Sequence, residues 1–282
     1  TFFDPDTVGF NAGPDLSESF DRNSHSWIVS SGPHAGKIMV YIGGDIGVTA
    51  SERYVPAINA LEASPPDTGE PGGSGPHTHS FVEPLTDRRV IILAQSATAT
   101  DALVYDPGTD NFPATATFLA AAQAGPGSHS IPHDDGTVRV ILGGGTQDTE
   151  VFDPLSGLFT STAVFPISLG AGAHSFPIQG GPNDGEYLIV AGGGSDFTLF
   201  YNPTSKAVQG GPSLSGNAGR GSSAIRLAAG PEAGKYLIVH GGNSDTTSIF
   251  DPQNPTAAPT AAMPAGPALT FSINNSIVIP ID

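Results

Sequence analysis

The chain has 282 residues, no cysteine, 37 glycines, 26 prolines and 13% charged residues, with a formal net charge of −17. Ten Lys and Arg against 27 Asp and Glu leave no basic face to displace counterions, which excludes nucleic acid as a partner and argues against a polybasic membrane patch. The missing cysteines exclude disulfides, thiolate metal sites and thiol catalysis, and no apolar run approaches the ~18 residues of a membrane span.

Glycine and proline at this density suit many short strands joined by tight turns. Few lysines, many small polar residues and the acidic balance point to a secreted protein, extracellular or periplasmic. A start at Thr1 fits a processed or trimmed form.

The elements follow one repeated phrase. Residues 1–10 form the second half of a unit, with Phe3-Asp4-Pro5 and an aromatic residue five positions on. The first full unit opens at His25, has an apolar strand over 37–42, reaches Gly43-Gly44 and closes on the degenerate Tyr54-Val55-Pro56. The glycine- and proline-rich stretch 64–75 then reads as one long loop projecting from the fold. The second unit opens at His79, continues through the strand 90–93 and closes at Tyr105-Asp106-Pro107.

The third unit is the clearest: His129-Ser130, the strand 138–142, Gly143-Gly144-Gly145, then Val151-Phe152-Asp153-Pro154 and Gly157. The fourth opens at His174, passes through 187–190 and Gly192-Gly193-Gly194, and closes at Tyr201-Asn202-Pro203. In the fifth, Ser223 stands where the others have histidine, followed by 236–239, Gly241-Gly242 and Phe250-Asp251-Pro252. The chain ends on an orphan first half, Phe271-Ser272 and 276–279.

An orphan second half at the start and an orphan first half at the end combine into one more unit. With unit starts spaced by about 45 to 54 residues, the pattern predicts an all-β, six-bladed β-propeller in one domain, 1–282. A composite blade of 270–282 and 1–12 closes it, and five further blades start near 25, 79, 129, 174 and 223. The apolar runs read as strands buried on both faces. The Gly runs mark turns or crowding between blades. Asp-Pro-x-x-Gly reads as turn chemistry. Trp27 reads as core.

These phrases resemble the kelch repeat, in particular the propeller domain of the galactose oxidase family. They cover nearly the whole chain, and Arg22 and Arg220 also match the arginine that precedes the repeat's His-Ser. In that family a Tyr-His-Ser at an innermost strand supplies copper ligands near the propeller axis. His25, His79, His129 and His174 match its histidine. They follow Ser24, Thr78, Ser128 and Ala173, so no tyrosine ligand carries over. Without cysteine the family's Cys–Tyr crosslink cannot form, so the resemblance implies a propeller without the radical copper site.

The openers of the first strands and the loops after the Gly runs fall on one face. That face is expected to carry His25, His79, His129 and His174 as a metal site, with copper the first choice and zinc or iron as alternatives. Around it come His77, Arg22, Arg220, Ser223, Asp148, Asp196 and Asp245, expected to support the metal-holding histidines or to contact a small molecule or glycan. A bound transition ion would make a metal-dependent enzyme, with oxidase, lyase and hydrolase chemistry not separated by the residues. The alternatives are a glycan- or protein-binding module and a structural component of an extracellular assembly. Histidine is also part of the kelch pattern itself, so the same four positions fit imidazoles that simply bond a loop carbonyl.

Overall fold

The structure, a computed structural model, describes residues 2–4, 9–11, 25–41, 51–62, 79–83, 86–93, 102–116, 118–119, 124–242, 244–255 and 257–259. Among them there is no α-helix, only strands and two 3-10 turns, Gly32–His34 and Pro56–Ile58.

The chain is all-β. A short hairpin pairs β1 (Phe2–Asp4) with β2 (Gly9–Asn11). Five antiparallel sheets of four strands follow, each a simple meander in chain order. The first holds β3 (His25–Ile28), β4 (Ile38–Tyr41), β5 (Ser51–Val55) and β6 (Ala60–Glu62). The second holds β7 (His79–Val82), β8 (Arg89–Ile92), β9 (Ala102–Asp106) and β10 (Asn111–Ala116). The third holds β11 (His129–Pro132), β12 (Val138–Ile141), β13 (Thr149–Asp153) and β14 (Leu158–Ser161). In the fourth are β15 (His174–Pro177), β16 (Tyr187–Val190), β17 (Thr198–Tyr201) and β18 (Val208–Gly210). The fifth has β19 (Ser223–Arg226), β20 (Tyr236–Val239), β21 (Thr247–Phe250) and β22 (Ala257–Pro259).

The expected unit starts are therefore the observed first residues of five sheets. Residues 261–282, which carry the expected closing half-unit, and the loop 64–75 lie outside the described residues. The strands fall into two compact units, one with β1–β10 and one with β11–β22.

In the first unit Trp27, Met39, Ile91, Leu93, Leu103 and Tyr105 form one core cluster. The Trp27 and Tyr105 rings meet edge to face with centroids 5.9 Å apart. In the second unit the middle sheet is covered on both sides. Ile189 packs with Ile131, Ile141 and Phe165 on one face, while Leu188 and Val190 pack with Tyr236, Ile238 and Phe250 on the other. Two buried faces explain why β16 is a continuous apolar run rather than an alternating one.

The glycine runs serve both expected purposes. Gly143, Gly144 and Gly145 all have positive φ, at 66°, 65° and 82°, where a side chain is strained. They also sit in a joint made of main chain. The segment leading into β15 bonds backward through Gly145 N to Leu169 O at 2.8 Å, and to its own sheet through Gly170 N to Ala191 O at 3.0 Å. The lead into β19 repeats this, with Gly194 N to Ala218 O and Gly219 N to His240 O, both 2.8 Å. A Cβ on Gly170 would lie 2.9 Å from the Gly193 Cα, so glycine is needed there by contact alone.

The turn residues also behave as their chemistry dictates. Asp153 Oδ1 accepts the Leu155 amide at 2.9 Å and Gly157 follows with φ 69°. Asn202 takes the same role toward Thr204 and Ser205 at 3.0 and 2.8 Å. In the degenerate first unit, Asn59 supplies the left-handed residue with φ 49°.

Candidate functional site

Each first strand begins at the same point of its ladder. His25 pairs with Tyr41, His79 with Ile92, His129 with Ile141, His174 with Val190 and Ser223 with Val239, each the last residue of the second strand. The opener is therefore an equivalent position in all five sheets. His25 and His79 belong to the first compact unit, His129 and His174 to the second.

The geometry of His129 and His174 is built by the two residues before each. Gly127 and Gly172 have φ of 85° and 86°, which turns their carbonyls toward the following imidazole. His129 Nδ1 donates to Gly127 O at 2.8 Å, and His174 Nδ1 donates to Gly172 O at 3.0 Å. With Nδ1 carrying the proton, the lone pair of each neutral ring sits on Nε2. Both Nε2 atoms are shielded from solvent and have no hydrogen-bond partner.

Burial is also the main reason these rings are neutral. It pushes His129 down to about 4 against the opposing bond to Gly127, and the charge of His174 lowers it further. Desolvation likewise lowers His174, opposed by its bond to Gly172. An unpaired buried acceptor costs on the order of 1–3 kcal/mol, and two equivalent ones occur here. A histidine whose Nδ1–H is held by a carbonyl while Nε2 is left free has the orientation seen in metal ligands.

The other expected residues are less organised. His79 is half-buried at the start of β7. The Arg220 guanidinium is exposed, and this residue ties the loop through its carbonyl, which accepts Gly242 N at 2.7 Å. Ser223 and Asp245 are exposed, and Asp148 and Asp196 are half-buried. The carboxylates of Asp148, Asp196 and Asp245 have no partner among the described residues. Arg22 and His77 lie outside the described residues. Among the described residues, no group of three or more His, Asp or Glu is arranged to hold a metal ion.

Two buried histidines escaped the sequence reading as structural centres. His133 follows β11, with Nδ1 2.7 Å from Thr137 Oγ1 and Nε2 2.5 Å from the Tyr201 hydroxyl. His240 follows β20, with Nδ1 2.8 Å from Thr246 Oγ1 and Nε2 2.8 Å from Ser248 Oγ. The readable signal was position: His240 stands where the other units have Leu93, Leu142 and Ala191. In the first unit, His34 sits in a charge cluster, 3.2 Å from Asp110 and beside Arg53, Lys37 and Glu62.

No family model matches this chain, and no curated protein sequence does either. Solved structures do match, 220 chains in all. One is the extracellular domain assigned to a hybrid two-component system of B. thetaiotaomicron. It superposes with a TM-score of 0.53 at 12% identity, over 81% of this chain and 28% of that one. The present chain thus spans little more than a quarter of that structure, and the likeness concerns the fold. Among the described residues no helix is long and apolar enough to cross a membrane.

Proposed function

We propose that this chain is a secreted, six-bladed kelch-like propeller whose two terminal half-blades pair to close the ring. In this reading the two imidazoles of the second unit, His129 and His174, hold a transition metal, copper first and zinc or iron as alternatives. The orphaned Nε2 atoms of His129 and His174 carry it. Their Nδ1–H groups are already committed to Gly127 and Gly172, so each ring presents one buried lone pair and nothing on the protein to receive it. The net charge of −17 would raise the local cation concentration. The extracellular origin of the similar domain supports export.

A bound ion with an open position supplies a Lewis acid or a redox centre. What the chain itself contributes is orientation of the two rings and exclusion of water around them. Ser223, which replaces histidine in the fifth sheet, leaves one side free for a small molecule or glycan.

Elemental analysis after incubation with Cu, Zn, Fe and Ni tests the reading. About one equivalent per chain, lost in the His129→Ala/His174→Ala double variant, is expected. A metal-free protein, or metal retained by that variant, overturns it. A second reading, a glycan-binding module without catalysis, is favoured by Phe197, which is 57% exposed beside Asp196. Aromatic faces exposed next to carboxylates suit sugar rings, and glycan binding that persists after chelation would select this reading.

A further inference from the structure

The strand ends opposite the histidines carry a second feature. A cavity of about 340 Å³ opens between the fourth and fifth sheets. Gly180 comes from the turn after β15, Arg226 from the end of β19, Gly234 and Lys235 from the turn before β20, and Asp251 and Gln253 from the turn after β21.

The charges there are unevenly satisfied. Lys235 is held by Glu232 at 2.8 Å and Asp251 at 3.1 Å, so its ammonium is already neutralised. Asp251 also accepts the Gln253 amide N–H through Oδ1 at 2.9 Å. The nearby Asp184 is occupied as well, accepting Gly180 N at 2.6 Å. Among the described residues the Arg226 guanidinium has no hydrogen-bond or ion-pair partner, and neither does the side-chain amide of Gln253. In a chain with 10 cationic and 27 acidic side chains, an arginine left unpaired in a cavity stands out chemically.

Glycines shape the wall through their turn conformation and through contact with Gln253. Gly180 and Gly234 both have positive φ, at 86°. A Cβ on Gly180 would crowd the Gln253 side-chain nitrogen at 3.0 Å. A planar guanidinium offers two parallel N–H donors to a carboxylate, and the Gln253 amide adds a neutral partner for a hydroxyl or carbonyl. The cavity is at the small end of ligand sites, which suits one sugar-sized group. No aromatic ring lines it, so recognition rests on hydrogen bonds rather than stacking.

We infer that this cavity binds a sugar acid, with the ligand carboxylate on Arg226 and a hydroxyl on Gln253. Calorimetric titration at low salt with glucuronate, glucose, N-acetylaspartate amide and inorganic phosphate tests this. Glucuronate is expected to bind and glucose not to. Arg226→Gln should lose about tenfold or more in affinity, and Gln253→Ala should lose less. Arg226 is exposed, so an unchanged melting temperature shows that the variant is folded. Absence of glucuronate binding overturns the inference. So does glucuronate binding that Arg226→Gln leaves unchanged, or tighter binding of the aspartate derivative or of phosphate.

Discussion

His133 and Tyr201 meet through a buried hydrogen bond between sheets, with Nε2 and the phenolic oxygen 2.5 Å apart. The two residues are 68 positions apart in sequence, and each belongs to a different repeat. Thr137 holds the other ring nitrogen at 2.7 Å, so the imidazole is satisfied on both sides. Tyr201→Phe removes one partner and leaves the shape. The orphaned nitrogen should cost about 1–3 kcal/mol, read as a lower denaturation midpoint with an unchanged slope.

Acid should destabilise this protein before its carboxylates titrate. His129, His133, His174 and His240 are all lowered, chiefly by burial, and His133 reaches about 4. Between that value and the unfolded histidine pKa near 6.5, the unfolded chain binds more protons than the folded one. The contribution is thus complete above about pH 6.5 and falls as the pH drops toward about 4. Asp135 is held low by Lys206 and Thr137, and it loses its contribution only at lower pH. Urea unfolding at pH 7.5, 6 and 4.5 should show a falling midpoint; a flat profile would contradict the assignment.

His240 tests the same point from within one unit. Leu142 fills its place in the third sheet, and Ser248 keeps partners in the Ser215 backbone at 3.0 Å and hydroxyl at 2.8 Å. His240→Leu should therefore stay within about 1 kcal/mol of the parent at pH 7.5, and its stability should depend less on pH below 6.5.

Gly170 and Gly210 separate contact from conformation. Neither has positive φ. A Cβ on Gly170 meets the Gly193 backbone at 2.9 Å, whereas on Gly210 it meets nothing within 4 Å. Gly170→Ala should cost about 1–3 kcal/mol and Gly210→Ala close to none. Equal melting temperatures for the two variants would show that the joint can give way.

Arg139 is buried, and among the described residues no carboxylate pairs with it. Its guanidinium donates to Thr149 Oγ1 at 3.1 Å, Thr162 Oγ1 at 2.9 Å and Ala163 O at 2.8 Å. It also lies over the rings of Phe165 and Tyr201, at 4.9 and 5.2 Å from their centroids. Lysine keeps the charge and loses the planar fork. Arg139→Lys should cost about 2 kcal/mol or more, measured by the thermal midpoint.

Much of the fold was legible because it is periodic. The openers His25, His79, His129, His174 and Ser223, the apolar runs and the turn residues each recur at matching points, and the five sheets start where the phrase does. The His133–Tyr201 bond was not legible, since its partners belong to different copies and, although Tyr201 closes its unit as Tyr105 and Phe152 do, no other copy has a histidine at the place of His133. His240 was hidden for the opposite reason, sitting in a slot that the other copies fill with apolar residues. The four histidines could be read as a set. The bonds to Gly127 and Gly172 that leave two ring nitrogens shielded and without a partner depend on backbone direction, which composition does not reveal.

The joint between the third, fourth and fifth sheets is written in main-chain atoms. Leu169 and Ala218 contribute only their carbonyls to the bonds from Gly145 and Gly194, so side chains elsewhere can diverge without touching the connection. Copies of such a unit are interchangeable at their edges. Duplication, loss or exchange of one sheet asks only that the facing core residues be rematched. A lineage could thus vary the openers one at a time, as Ser223 already does, while the connections between sheets stay constant.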